Sequence, residues 1–273
     1  MMIVGFVIDL LRVLDVQMER PTFLGWFHIV SIVLTVLAVL YCCIYRRKDS
    51  KEHVRKVVLW TSIIVILLEV YKQINYTFGY DTGTVIADFQ WYAFPFQFCS
   101  IPMYVGLLVG ILGHGKIHDA LAAFLATYSV FAGVCVLAYP NDVFVGTIGI
   151  NIQTMICHCS MIVIGAYLYA TGYVKTEHKT ILKAVPVFAV AVFTAAILNE
   201  IAYYTGLLET ETFNMFFISP HCEPSLPVYS LVQQAVPFPF CLIVYIAVFT
   251  LAAYLILLLV MWLSYFVHKS KKT

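Results

Sequence analysis

Charge is the scarcest property of this chain. Lys, Arg, Asp and Glu make up 11% of its 273 residues, against about 25% in soluble domains. The net charge is only +1, which leaves no electrostatic footprint for nucleic acid. There is no glycine-rich phosphate loop, no dinucleotide fingerprint and no pair of metal ligands at helical spacing, so neither a cofactor nor a metal is expected. No internal repeat is evident, and an odd number of apolar spans argues against a simple inverted-repeat transporter. The last span has no Lys for a retinal Schiff base. A disulfide framework is missing too. Seven of the eight cysteines (Cys42, Cys43, Cys99, Cys135, Cys157, Cys159 and Cys241) lie within apolar runs, and only Cys222 is in an obvious loop. Cys157-His158-Cys159 is no zinc site, because adjacent helical positions splay apart.

What the chain does have is apolar length. Hydrophobic residues account for 62% of it, and the mean hydropathy is +0.91. Runs of about 20 apolar residues imply an all-α polytopic membrane protein. Seven spans are expected: Phe23–Tyr45, Val57–Gly79, Trp91–Leu112, Ile117–Tyr139, Asn151–Tyr173, Ala184–Leu207 and Phe238–Val267. They form a single integral membrane domain over 1–273, with the bundle at 23–267. Ahead of it, Gly5, Asp9, Arg12, Asp15 and Glu19 recur at helical spacing within an apolar stretch. This pattern suits an amphipathic helix over residues 1–20 lying in the interface, not a signal peptide.

The basic residues orient the bundle. Arg46, Arg47, Lys48, Lys51, Arg55 and Lys56, then Lys116, then Lys175, Lys179 and Lys183, and finally Lys269, Lys271 and Lys272 fall on one side, 13 of the 16. The positive-inside rule then places the amino terminus outside and the carboxyl terminus in the cytoplasm of a cell-membrane protein. On the outer side, residues 209–237 are rich in proline, with Pro220, Pro224, Pro227 and Pro237, yet remain apolar. Such a segment is expected to fold back as a lid or re-entrant piece, because irregular backbone must be shielded from lipid.

This orientation gives every intramembrane polar residue a depth. Glu69, Lys72, Gln73 and Tyr76 share a face in the outer half of the second span, and Gln97, Ser100 and Tyr104 share one that begins in the outer half of the third. In the fifth span Asn151, Thr154 and His158 make one polar stripe, and Asn199, Glu200 and Tyr203 lie near the outer end of the sixth. An Asp or Lys at mid-membrane costs roughly 2.5–3.5 kcal/mol, so intramembrane ionisable groups gather in shared wet sites and mark function by default. A polar cavity in the outer half is expected, centred on His158 and capped by the Pro-rich segment. Plainer readings remain open: a neutral His158 bonded to a neighbouring helix, and a Glu69–Lys72 pair that only satisfies itself. Pro95 and Pro102 are expected to kink the third span, the latter freeing the Phe98 carbonyl.

Three motifs carry a resemblance. Phe94-Pro-Phe-Gln-Phe-Cys-Ser100, the His158–Tyr169 helix, and Asn214-Met-Phe-Phe through Ser225-Leu226 to Val236-Pro-Phe-Pro-Phe240 together resemble the bacterial YwaF family of integral membrane proteins, over roughly residues 90–245. That family is similar to eukaryotic transmembrane protein 164, a lipid acyltransferase, and more distantly to androgen-induced protein 1, a hydrolase of fatty-acid esters. The resemblance implies a functional histidine at His158. It also places the acyltransferase nucleophile, a cysteine directly after the span-three proline, at Phe96. The expected roles are His158 as general base, Ser100 or Cys99 as nucleophile and Gln97 as oxyanion donor. Membrane lipids are the expected partners. The alternative is a non-enzymatic carrier or receptor, holding a lipidic or small polar ligand through Glu69, Lys72, Gln73, Asn151, Thr154, Asn199, Glu200, Tyr203 and Asn214.

Overall fold

The computed structural model describes residues 2–81, 84–206, 213–222 and 227–270. Glu209, Pro224, Ser225, Leu226, Lys271 and Lys272 lie outside the described residues. Helix α1 (Met2–Leu14) is followed by α2 (Trp26–Tyr45) and α3 (Lys51–Thr77). A short antiparallel hairpin, β1 (Phe78–Asp81) and β2 (Thr84–Ala87), leads to α4 (Ile101–Ile111). Then come α5 (Lys116–Ala126), α6 (Tyr128–Ala138), α7 (Ile148–Ala170), α8 (Lys179–Tyr204), α9 (Pro227–Ala235) and α10 (Phe240–Ser270). Six helical stretches among the described residues are long and apolar enough to cross a membrane: α2, α3, α5 with α6, α7, α8 and α10. Thr127 breaks the α5–α6 crossing, and its Oγ1 donates to the Ala123 carbonyl at 2.7 Å.

Local signals explain the boundaries. Ser50 opens α3 by accepting the His53 N–H at 3.2 Å, with Glu52 in the first turn, as an N-cap and helix dipole favour. Helix α7 ends where Gly172 takes φ +69°, a left-handed conformation that glycine adopts without a Cβ penalty. Helix α7 is central, packing on α2, α3, α5 and α6, whereas α10 lies against α6 and α8. The core between α5, α6, α8 and α10 is largely aromatic: the Phe188 ring stacks on Tyr128 at 4.4 Å, and Tyr245 on Phe249 at 4.2 Å.

The third expected span is not one helix. Trp91–Ala93 forms a single 3-10 turn, residues 94–100 are irregular, and α4 begins only at Ile101. Phe94 is extended, with ψ 133°, as a residue before proline prefers. Pro102 falls in the first turn of α4, where its missing N–H costs nothing. It therefore starts a helix instead of kinking one, and no carbonyl at Phe98 is freed in mid-helix. At roughly 16 Å, α4 covers about half of a 30 Å hydrocarbon core.

The hairpin is a feature that hydropathy does not reveal. It forms a platform for α1, which also meets the carboxyl-terminal end of α3. Ile8 and Leu11 of α1 are buried, while Phe6 and Val13 point outward. Tyr71 Oη and Asn75 Nδ2 both donate to the Leu14 carbonyl, at 2.7 and 3.3 Å. The chain then runs strand-like along the α6–α7 loop, with Met18 N donating to Gly146 O at 2.7 Å and Ile148 N to Val16 O at 3.0 Å.

Candidate functional site

Where α3, α7 and the irregular segment before α4 converge, they enclose a cavity of about 760 Å³. Glu69, Lys72 and Tyr76 reach it from α3; Gln97, Cys99 and Ser100 from the segment ahead of α4; Gln153, Thr154, Cys157 and His158 from α7. Asn214 and Phe217 cap it, and Arg20 and Asp142 stand among its lining residues.

Glu69 is buried and heavily bonded. Lys72 Nζ lies 2.7 Å from Oε1, Gln73 Nε2 donates to the same oxygen at 2.8 Å, and Gln153 Nε2 donates to Oε2 at 3.1 Å. A buried carboxylate needs this many partners, since an uncompensated charge in a low dielectric is costly. Gln73 also donates to the Ala93 carbonyl at 2.8 Å, tying α3 to the turn ahead of α4.

His158 is 5% exposed. Its Nδ1 lies 2.7 Å from the Thr154 carbonyl one turn earlier. A carbonyl only accepts, so Nδ1 carries a proton, and in the neutral form of the ring Nε2 holds the lone pair. That nitrogen is buried and has no hydrogen-bond partner among the described residues. The reading of His158 as an imidazole bonded to a neighbouring helix is thereby corrected, because its bond is to the Thr154 carbonyl of its own helix, and the residue stands in the cavity lining. His28 shows the contrast: Nδ1 accepts from Leu24 N at 3.1 Å and Nε2 donates to Leu137 O at 2.9 Å.

Ser100 and Cys99 both line the cavity, although neither is bonded to His158 Nε2. Ser100 is the residue before α4, and its hydroxyl is not used to cap that helix. Phe96 packs against Phe216 instead, with ring centroids 6.2 Å apart.

Gln97 departs from the role of open oxyanion donor. Its Nε2 donates to Asn214 O at 3.0 Å and its Oε1 accepts from Phe216 N at 2.9 Å, so the amide clamps the 213–219 loop. Asn199 does the same from α8, accepting from Met215 N at 2.8 Å and donating to Met215 O at 3.0 Å. Asn214 Oδ1 takes Ser219 N at 2.9 Å, and Tyr245 Oη donates to Phe216 O at 3.1 Å. Phe216 and Phe217 both adopt φ +58°, a conformation costing about 1–3 kcal/mol per residue, and this set of bonds holds them there.

Several residues expected in the cavity are elsewhere. Glu200 bonds His221, with its Oε2 3.1 Å from Nε2, and Tyr203 stacks on the same imidazole at 3.5 Å. With Asn199 they make a latch on the loop, outside the cavity lining. Asn151 Oδ1 accepts from Val145 N at 2.9 Å and its Nδ2 donates to Val145 O at 2.8 Å, so it pins the α6–α7 loop. In the other direction, the sequence reading passes over Gln153. The signal was available, since Gln153 with Cys157 and Thr154 with His158 are adjacent i, i+4 pairs that widen the polar stripe. Among the described residues, no group of three or more His, Cys, Asp or Glu could hold a metal ion.

Comparison with known proteins gives one family. The family model described as the TMEM164 family matches residues 23–262, and the chain belongs to that family. No curated protein and no solved structure matches it.

Proposed function

We propose that this member of the TMEM164 family, a multi-pass membrane protein, transfers or hydrolyses the fatty-acyl esters of membrane lipids, with His158 as general base. The observation that carries the reading is the bare, buried Nε2 of His158, whose tautomer is fixed by Thr154, in a cavity shared with Ser100 and Cys99. In the reaction, Ser100 Oγ attacks the ester carbonyl as His158 Nε2 takes its proton. Collapse of the tetrahedral species breaks the acyl–oxygen bond, and Nε2–H returns the proton to the departing alcohol. A second alcohol, or water, then removes the acyl group by the reverse sequence. The α4 amino terminus lies beside Ser100, where its dipole favours the developing oxyanion, a role that Gln97 is too occupied to fill. Cys99 is a second candidate nucleophile in the cavity lining.

The orientation belongs to the same proposal. With the basic loops inside, residues 94–111 complete a seventh crossing, and the cavity sits in the outer half of the bilayer beneath the 213–222 loop. The motifs that carry the YwaF likeness support this arrangement, since Gln97, Cys99, Ser100 and His158 line the cavity and Asn214 and Phe217 cap it. A carrier or receptor has less support, because Glu69 already accepts from Lys72, Gln73 and Gln153.

The test is ester turnover by the purified protein in lipid vesicles. His158→Ala is expected to lose about 10²–10⁴-fold, the typical share of a general base. Ser100→Ala should lose as much while Cys99→Ala loses little. Turnover in His158→Ala equal to wild type would overturn the reading.

A further inference from the structure

A second groove lies on the other side of Glu69. It measures about 280 Å³ and runs between the outer half of α3 (Ile66, Val70, Ile74) and the stretch around α4 (Pro95, Met103, Tyr104). Its origin is in the packing of the two helices. Gly106 and Gly110, one turn apart on α4, let α3 approach closely: a Cβ at Gly106 would stand 2.1 Å from Ser62 Oγ, and one at Gly110 2.5 Å from Leu59 Cβ. Small residues at this spacing allow such contact between membrane helices. Ahead of Pro102 the helix gives way to irregular chain, with no side chains at helical spacing to fill the wall, and the groove occupies that gap. Tyr104 Oη, donating to Pro95 O at 2.8 Å, holds the irregular chain at the groove's edge.

Two residues, Glu69 and Met103, line both this groove and the His158 cavity. Glu69 is fixed by its three donors, so that part of the wall is rigid. Met103 is not fixed in this way. It carries an unbranched, flexible side chain and also borders a small apolar void of about 30 Å³ with Gly106, Cys157 and Met161, into which its thioether can swing. On the outer side, Val70 is 49% exposed on a bilayer-spanning helix, so what covers the groove is lipid hydrocarbon and not water.

We propose that this groove holds one acyl chain of a bilayer lipid, and that Met103 is the gate through which the ester at the head of that chain reaches His158. The proposal deepens the esterase or acyltransferase reading and rests on it for the fate of the ester. The occupancy of the groove stands separately.

The full-length protein is reconstituted in phosphatidylcholine vesicles containing a phosphatidylcholine with a diazirine in one acyl chain, irradiated, and its adducts mapped by mass spectrometry. Wild type should be labelled preferentially at Val70, Ile74 and Met103, with a second set at Cys157. Met103→Trp should keep the Val70 and Ile74 adducts, lose those at Cys157, and turn over long-chain esters roughly ten- to a hundredfold more slowly, with a smaller loss on short, water-soluble esters. Met103→Ala, which cannot block the gate, should retain both sets of adducts. Labelling spread evenly over the lipid-facing residues of α2, α3 and α10, with none at Met103 or Cys157, would overturn the proposal. If the adduct pattern holds while His158→Ala retains full turnover, the groove stands and the reaction assigned to His158 fails.

Discussion

His28 is buried as deeply as His158, yet both of its ring nitrogens are bonded, so burial alone does not separate a structural imidazole from a reactive one. An unpaired nitrogen on a residue that lines the cavity does: His118 Nδ1 is also buried without a hydrogen-bond partner among the described residues, but His118 is not part of the cavity lining. The Glu69–Lys72 pair obeys similar logic. Glu69→Gln leaves Lys72 as a half-buried cation without its carboxylate and is expected to cost less than the roughly 3–5 kcal/mol of a fully buried broken pair, read as a lowered thermal midpoint in lipid nanodiscs. Glu69→Gln with Lys72→Met should recover most of that loss; an equal loss in the double variant would show that the pair is not the source. The sequence makes this cluster legible because Glu69, Lys72 and Tyr76 lie on one helical face. Glu200 and Asn199 were grouped with it wrongly for a physical reason. Hydropathy and orientation give a residue's depth in the bilayer, but not the direction in which its helix faces, and α8 turns these side chains to the loop.

At the scale of elements, the loop around Met215–Phe217 is held by side chains from three separate places: Gln97 before α4, Asn199 on α8 and Tyr245 on α10. Gln97→Ala strands the Phe216 N–H and the Asn214 carbonyl, each about 1–3 kcal/mol when left unpaired. Hydrogen exchange at residues 213–219 is expected to accelerate in Gln97→Ala and in Asn199→Ala, with α2 unchanged as the internal reference. Unaltered exchange in the loop would mean that the clamp is not what orders it. At the opposite end, Tyr167 on α7 donates to Asp49 Oδ2 at 2.5 Å, and Arg46 Nε donates to the same oxygen at 2.8 Å. The Tyr167 hydrogen bond, with Arg46 and His53 nearby, holds the Asp49 carboxyl below its usual range. A carboxylate with a depressed folded pKa stabilises the fold above its unfolded value of about 3.9, and the contribution is lost as pH falls through the folded value. Wild type should therefore lose thermal stability below about pH 4 more steeply than Tyr167→Phe; parallel curves would refute the assignment. Helix boundaries of this kind were only partly legible. The third span read as continuous because its residues are apolar throughout, whereas Pro95 and Pro102 divide it.

For the whole molecule, the proposed orientation with the basic loops inside sets a prediction about sidedness. In intact cells, Asp142→Cys should react with a membrane-impermeant maleimide while Lys48→Cys reacts only after permeabilisation; the reverse pattern would invert the topology. The native cysteines need prior replacement, since Cys135 is exposed. Global architecture was the most legible level, because about 20 apolar residues per crossing is a requirement of the bilayer itself. The hairpin at 78–87 and the path of residues 15–20 were not, since both are made by backbone pairing over many intervening residues. That path has a consequence. Gln17 pairs with Thr147, and Arg20, itself at the cavity, donates to the Asn141 carbonyl at 2.6 Å. A segment that looks like a dispensable surface anchor is thus sewn into the rim of the chamber. Shortening the protein from its amino end, or attaching a bulky label there, would loosen that rim.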